Sequence, residues 1–245
     1  MHACTLVFLV LTGVYAVASV VLWDLAGWLA IIVAYAGASC FFLALAYAGI
    51  GTGLFGKRKS GEHSLQSWLL FTPYFLVNSL IARLHRNLSR EPPFAEVVPN
   101  LFYGRRLGEV EARVSVAIGW VSVLDLAPEF AEASTLRALP GYRSFPILDA
   151  TAPSEDELRD AIHWLSRAVT VGPVYVHCAL GHGRTGCVVI AYLITTGVIT
   201  SAMEGVRLLR SQRPGVRLNR TQLRALRGIR PVPMRKPDVP HDSGC

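Results

Sequence analysis

The residues in this chain best suited to chemistry lie in one run, His177-Cys178-Ala179-Leu180-Gly181-His182-Gly183-Arg184-Thr185-Gly186, with a thiol near one end and a guanidinium near the other. Before it, Pro173-Val174-Tyr175-Val176 reads as a short buried strand; after it, Cys187-Val188-Val189-Ile190-Ala191-Tyr192-Leu193 reads as the start of an apolar helix. A loop between a strand end and a helix N-terminus aims backbone N–H groups and the positive end of the helix dipole at its occupant, so the expected ligand is an anion, phosphate above all. The same field favours the thiolate of Cys178, the form that acts as a nucleophile. Arg184 offers a planar fork that can grip two phosphate oxygens and stays charged at any working pH, which a lysine could not copy. Gly181, Gly183 and Gly186 let the backbone curl and the ligand approach closely. Thr185 places a hydroxyl where it can donate to the Cys178 sulfur.

His-Cys, five residues, then Arg-Thr-Gly resembles the signature of the cysteine-dependent phosphatases, the protein-tyrosine and dual-specificity group. The resemblance implies a reaction through phosphocysteine: Cys178 attacks, Arg184 stabilises the equatorial oxygens, Ala179 to Gly183 cradle the phosphate, and His177 and Thr185 support the loop. It implies no cofactor and no metal. The chemistry also needs a carboxylic acid that protonates the leaving oxygen. Asp149 is the candidate, in Phe145-Pro146-Ile147-Leu148-Asp149-Ala150-Thr151-Ala152-Pro153-Ser154, where a short apolar strand gives way to a proline-bounded loop resembling the family's general-acid loop. Asp125 is the rival, but it sits inside the strand-like Trp120 to Leu126. Glu155, Asp156 and Glu157 read as first-turn charges behind a Ser154 cap. Downstream, Ser201 to Arg210, Arg213-Pro214-Gly215 and Asn219-Arg220-Thr221-Gln222-Leu223 resemble the closing helices of dual-specificity phosphatases. That implies that Gln222 faces the loop and positions the hydrolytic water. Upstream, Val98 to Arg106 resembles the family's opening strand and turn, so the likeness covers residues 95–230.

The elements that must position these residues follow from periodicity. Strands near 101–103, 120–126, 143–147 and 173–177 alternate with helical stretches, predicting an α/β domain with a mostly parallel central sheet flanked by helices. Such a domain is large enough for its own core, and it places the nucleophile at the carboxyl end of a strand, where these folds bind ligands.

The chain is 52% hydrophobic with a mean hydropathy of +0.39, and the excess lies before residue 56. Ala3–Trp23 and Leu25–Phe55 carry no charge, each is longer than the roughly 20 residues that cross a bilayer, and only Asp24 separates them. A transmembrane helical hairpin over residues 1–56 is the expectation. Lys57-Arg58-Lys59 follows it while the turn has no cation, which by the positive-inside rule puts the catalytic domain in the cytoplasm. Within the basic juxtamembrane segment, 57–94, the stretch from Leu65 to Ala82 has Leu65, Trp68, Leu69, Phe75 and Leu76 at helical spacing, with Pro73 interrupting. It reads as a helix lying in the interface; the alternative is a third span, with the domain outside. Residues 231–245 read as a disordered tail. A domain with its own core is expected to hydrolyse small soluble phosphates without residues 1–60, the anchor serving to concentrate it at the membrane.

Seven scattered histidines and five cysteines form neither a metal-ligand pattern nor a disulfide framework, and His163 reads as a packing residue. The net charge of +7 and pI near 9.4 do not indicate nucleic acid. The basic residues cluster at the membrane edge and toward the carboxy terminus, without aromatics interleaved for base stacking, and suit anionic lipid or phosphorylated substrates. The expected activity is hydrolysis of phosphotyrosine or phosphoserine/threonine on proteins. The alternative is a phospholipid monophosphate of phosphatidylglycerophosphate or phosphoinositide type. Apolar Ala179 and Leu180, with His182 alone able to add charge, argue against polyphosphoinositides. An inactive phosphate-binding scaffold is the third reading, opposed by the intact Cys178, Arg184 and Asp149.

Overall fold

Helix α1 spans Ala3–Trp23 and α2 spans Gly27–Leu45, in a computed structural model that describes residues 3–231; all but the first residue of the expected tail lies outside that range. The two helices pack through small residues: Ala30, Gly37, Ser39 and Ala44 of α2 are buried, and a Cβ on Gly37 would sit 3.0 Å from that of Tyr15. Val10, Val14, Val17, Val20 and Val21 of α1 and Ile31 and Ile32 of α2 face outward and exposed, the pattern of a hairpin solvated by lipid. The second apolar stretch is not one helix. After Leu45 it loosens into a π-turn, Ala46–Ile50, breaks at Gly49 with φ of 134°, and ends in a short 3₁₀ turn, Thr52–Phe55.

Helix α3, Leu65–Leu88, starts on Ser64, whose Oγ accepts from Ser67 N at 3.2 Å. It runs six residues past the expected end. Pro73 does not stop it. A proline has no N–H for the carbonyl four residues back, and the Tyr35 hydroxyl of α2 donates to that carbonyl, Leu69 O, at 2.6 Å. One face of α3 lies along the carboxy-terminal domain: His63, just before it, approaches Pro128, Trp68 and Phe75 face the 129–131 segment, and Arg86 reaches Glu111 at 3.8 Å. Leu69, Leu76, Val77, Leu80, Leu84 and Leu88 on its other side are exposed. By length and composition α1, Gly27–Ile50 and α3 are each candidates to cross a membrane.

The carboxy-terminal domain is built on five strands: β1 Phe94–Val98, β2 Leu101–Arg105, β3 Ser122–Asp125, β4 Gly141–Ser144 and β5 Val174–Cys178. Their spatial order is β1-β2-β5-β3-β4, with β1 antiparallel to β2 and all other neighbours parallel. The mostly parallel sheet predicted from sequence is thus present, with an antiparallel edge strand added by the turn at Asn100. Strand β4 ends at Ser144, although Phe145 N and Ile147 N still donate to Asp125 O and Leu126 O, at 2.8 and 3.1 Å, before the chain turns into the Asp149 loop. Around the sheet lie α4 Glu109–Val116, α5 Ser134–Arg137, α6 Glu155–Val171, α7 Gly183–Thr195, α8 Ala202–Gln212 and α9 Arg220–Leu226. Central β5 and the helix after it, α7, are buried almost throughout, which is why both read as unbroken apolar runs. Ser154 caps α6 in a box with Glu157, as the sequence indicated; His163 on that helix is exposed, not packed.

Candidate active site

Cys178 ends β5 and Gly183 begins α7, so the loop between them lies at the carboxyl edge of the sheet and at a helix N-terminus. Its carbonyls are held on the outside. Arg106 N donates to Ala179 O at 3.1 Å, and the buried Arg213 donates from its two Nη atoms to Leu180 O and Gly181 O, each at 3.0 Å. Arg213 is fixed in turn by Pro92 O and Glu91. With those three carbonyls engaged behind the loop, the inner side is left to N–H groups, and Gly181 N donates to Cys178 Sγ at 3.3 Å. Gly181 has φ of 73°, and a Cβ there would fall 2.2 Å from the Gly104 backbone, so only glycine fits. Thr185 does not serve the sulfur as anticipated. Its hydroxyl is buried inside α7 without a hydrogen-bond partner among the described residues, and Gly181 N occupies the role.

Arg184 is buried, and its donors divide into two sets. Nη1 and Nη2 donate to the two carboxylate oxygens of Glu129 at 2.9 and 2.5 Å, and Nη1 also donates to Ile147 O at 3.1 Å. Nε has no protein partner among the described residues, and Nη2 faces Asp149 Oδ1 at 3.1 Å. The Nε and Nη2 edge is therefore the part of the fork available to two oxygens of an anion, while Glu129 clamps the other edge. Asp149 is well exposed, at 65%, and lines the same cleft as Cys178. Its backbone carbonyl accepts from the Tyr47 hydroxyl at the end of the hairpin, at 3.1 Å. A cavity of about 260 Å³ opens over Cys178, Arg184 and Asp149, with Asn78, Ile81 and Ala82 of α3 on its far wall.

Residues 140–230 match the family model for the dual specificity phosphatase catalytic domain. The matched stretch runs from β4 to α9 and holds the Cys178 loop, Arg184 and Asp149. Among solved structures the chain is similar to Tk-PTP in its active form, at 27% identity over 55% of this chain and 94% of that one, with a TM-score of 0.49. It is similar to PTPMT1 in complex with PI(5)P at 19% identity, covering 55% and 92% with a TM-score of 0.48, and to human DUSP28 at 21%, covering 55% and 90% with a TM-score of 0.46. No curated protein sequence matches the chain.

The structure brings three further residues named from the sequence, His177, His182 and Gln222, to the loop. His177 is fully buried under the loop, its Nε2 2.7 Å from Glu132 Oε2 but out of line for a full hydrogen bond. Burial pulls its pKa down and the Glu132 carboxylate lifts it by more, so the ring ends above its ordinary value. His182 lies at the cavity and its Nε2 is 2.8 Å from Glu91 Oε2, which turns the ring to the linker before β1. Gln222 is buried against the loop: a Cβ on Gly183 would sit 3.1 Å from its amide, which accepts from Asn219 N and donates to Thr151 O. The sequence reading missed Glu129, Glu132 and Arg213. Two carboxylates in the apolar stretch Leu126 to Ala133 were the available signal, since acids this buried need partners.

Asp125, set aside as an acid on sequence, is 1% exposed and shielded from the cleft by its own partners, Lys57, Tyr142 and Ala127 N. Asp125, Glu132 and His177 bring ligand-type atoms within 4.8 Å of one another, a grouping absent from the linear pattern. The Lys57 ammonium is 2.5 Å from Asp125 and already supplies a positive charge there.

Proposed function

We propose that this chain is a membrane-anchored phosphomonoesterase that removes the phosphate from a lipid monophosphate held in the bilayer beside its active site. The observation that carries this reading is the wall of the catalytic cleft. Asn78, Ile81 and Ala82 of α3 line the cavity over Cys178, and the same helix presents Leu69, Leu76, Val77, Leu80 and Leu84 outward. A helix with one face on a polar domain and the other apolar and exposed suits the plane of the interface, not a crossing. The hairpin end meets the same cleft through Tyr47 and Asp149. Together these support a mouth at headgroup level, where a substrate's chains stay in lipid while its phosphate enters the loop. A phosphorylated side chain on a folded protein would have to reach the same mouth between the domain and the membrane.

In the first step the Cys178 thiolate forms an S–P bond as the P–O bond to the alcohol breaks, and Asp149 gives its proton to the departing oxygen. The Nε and Nη2 edge of Arg184 and the loop N–H groups hold the equatorial oxygens as charge redistributes. In the second step Asp149 takes a proton from water, with Gln222 beside it, and the S–P bond breaks to release inorganic phosphate and the thiolate. The domain faces the cytoplasm in this reading, supported by the exposed Arg58 and Lys59 where the hairpin returns and by the lack of a cation in its turn.

The test is the full-length chain in mixed micelles, assayed against phosphatidylglycerophosphate and against phosphotyrosine and phosphoserine peptides. Expected is a kcat/KM for the lipid at least about tenfold above either peptide. Preference for a peptide overturns the lipid assignment. For orientation, Lys59→Cys should react with an impermeant maleimide only after cells are opened; labelling of intact cells reverses it.

A further inference from the structure

The connector between the hairpin and α3 is folded onto the phosphatase domain. Lys57 and His63 form an antiparallel bridge, and the turn between them closes through Arg58 N to Glu62 O at 2.8 Å and Gly61 N to Arg58 O at 2.9 Å. Gly61 is buried with φ of 81°, and a Cβ there would lie 2.3 Å from the Tyr142 hydroxyl, so the turn and the domain are fitted to each other. Four polar contacts run from this turn to one stretch of the domain. Lys57 Nζ donates to Asp125 Oδ2 and to Ala127 O, both at 2.5 Å. His63 Nε2 is 2.8 Å from Pro128 O, and Glu132 N donates to Gly61 O at 3.0 Å.

That stretch, 125–132, carries Glu129, whose carboxylate clamps Arg184, and Glu132, which faces His177 next to the nucleophile. It has little regular structure of its own after β3 ends at Asp125. Its position is set by contacts at its ends and middle, and on one side those contacts come from Lys57, Gly61 and His63. The Lys57 side chain is 1% exposed and Asp125 equally so, which makes this a buried ion pair whose loss strands a carboxylate in the domain interior.

We propose that Lys57, with the turn that ends at His63, positions the 125–132 segment and through Glu129 sets the Arg184 fork, so that the membrane connector is a working part of the phosphatase as well as its tether. This rests on the phosphatase chemistry and not on the lipid assignment. It reverses the expectation that the domain works unaltered without residues 1–60. Lys57 is a positioning residue: it touches no reacting atom, and its effect reaches the phosphate through two intervening side chains.

The experiment uses the full-length chain in detergent micelles with p-nitrophenyl phosphate, a soluble substrate whose turnover is independent of any lipid preference. Lys57→Met is compared with Arg58→Met, its exposed neighbour, and folding is followed by near-ultraviolet circular dichroism of the buried Trp120–Tyr175 stack. For a folded Lys57→Met the expectation is a kcat lower by about 10- to 100-fold, the scale of a small misplacement of catalytic groups, with KM changed less. Vanadate affinity should weaken in the same variant, since the anion reads the Arg184 fork directly, and Arg58→Met should match the wild type. A folded Lys57→Met with wild-type kcat and vanadate affinity overturns the proposal, as does an equal loss in Arg58→Met. If Lys57→Met does not fold, His63→Ala, which removes the contact to the Pro128 carbonyl together with the ring stacked on Phe75, decides in the same assay: a several-fold loss of kcat upholds the positioning role, and an unchanged kcat overturns it.

Discussion

Replacing Glu129 by glutamine separates the two jobs of the Arg184 guanidinium. In the wild type both carboxylate oxygens of Glu129 accept from Arg184, at 2.9 and 2.5 Å, and both side chains are almost fully buried. Glutamine keeps one acceptor. Its amide nitrogen then faces an arginine N–H, donor against donor, so one charge-assisted bond is replaced by a repulsive contact and the fork must rotate away. Rotation carries the Nε and Nη2 edge off the phosphate position. Losing one aligned donor at such a site costs about 10²-fold in kcat, or about 2.7 kcal/mol. The charge change acts the other way on binding. Removing a carboxylate leaves the pocket more positive, so KM for an anionic substrate should stay level or fall while kcat drops. Steady-state kinetics on p-nitrophenyl phosphate in micelles give both numbers, and circular dichroism confirms folding. A kcat within about threefold of wild type would show that Arg184 does not depend on Glu129. A raised KM with unchanged kcat would show that Glu129 serves ground-state binding instead.

The remaining predictions concern the nucleophile, the acid and pH. Cys178→Ser should abolish turnover while the domain stays folded and still binds vanadate weakly; residual phosphatase activity would exclude a phosphocysteine route. Asp149→Asn should slow alkyl phosphates far more than p-nitrophenyl phosphate, whose phenolate leaves with little protonation, and equal losses would move the acid role elsewhere. Burial pushes the Asp125 and Glu91 carboxyls up, but Lys57 and His177 on the first, and His182, Gly215 N and Arg213 on the second, hold both below their ordinary 3.8 and 4.5. Their contribution to stability is complete above about pH 4.5 and is lost as pH falls through the lowered values. His177, lifted above 6.5 by Glu132, contributes fully below about pH 6.5 and loses that contribution as pH rises through its raised value. Burial holds His63 and His182 below 6.5, so each costs stability as pH falls below that value. The melting temperature should therefore peak near pH 6.5, and a flat profile from about pH 3 to 8 would refute the assignment of these groups.

Much of the site was legible because its signals are local. Cys178, the loop glycines and Arg184 lie in one run, and the strand before and helix after are apolar for the simple reason that both are buried. The central strands β3 and β5 were legible too, as short apolar runs, whereas β4, Gly-Tyr-Arg-Ser at the sheet edge, lies two residues before the apolar stretch that marked it. Contacts made through carbonyls leave no such trace. Little at Arg213 distinguishes it from the exposed arginines around it, because three of its four partners are Pro92 O, Leu180 O and Gly181 O, backbone atoms any residue would supply, and the fourth, Glu91, lies more than a hundred residues away in the chain. The exact course of α3 was equally hidden, since Pro73 reads as a break until Tyr35 is seen to satisfy the carbonyl it leaves open.

Lys57 shows a different kind of concealment. A lysine following an apolar span reads as a solvated charge at the membrane edge, and an aspartate inside an apolar strand reads as an oddity of that strand. Each is a polar residue out of place by the local pattern, and they carry opposite signs. Burying either alone would be costly, so a fold that buries Asp125 must bring it a cation, and the stretch that borders the membrane holds one where the chain re-enters the domain. The pairing makes the two halves of the chain interdependent. A tether needs only length and solubility, whereas a connector that fills a buried charge site must fold with the domain it serves. Its neighbours Arg58 and Lys59, exposed and without such a partner among the described residues, remain free to act at the lipid surface.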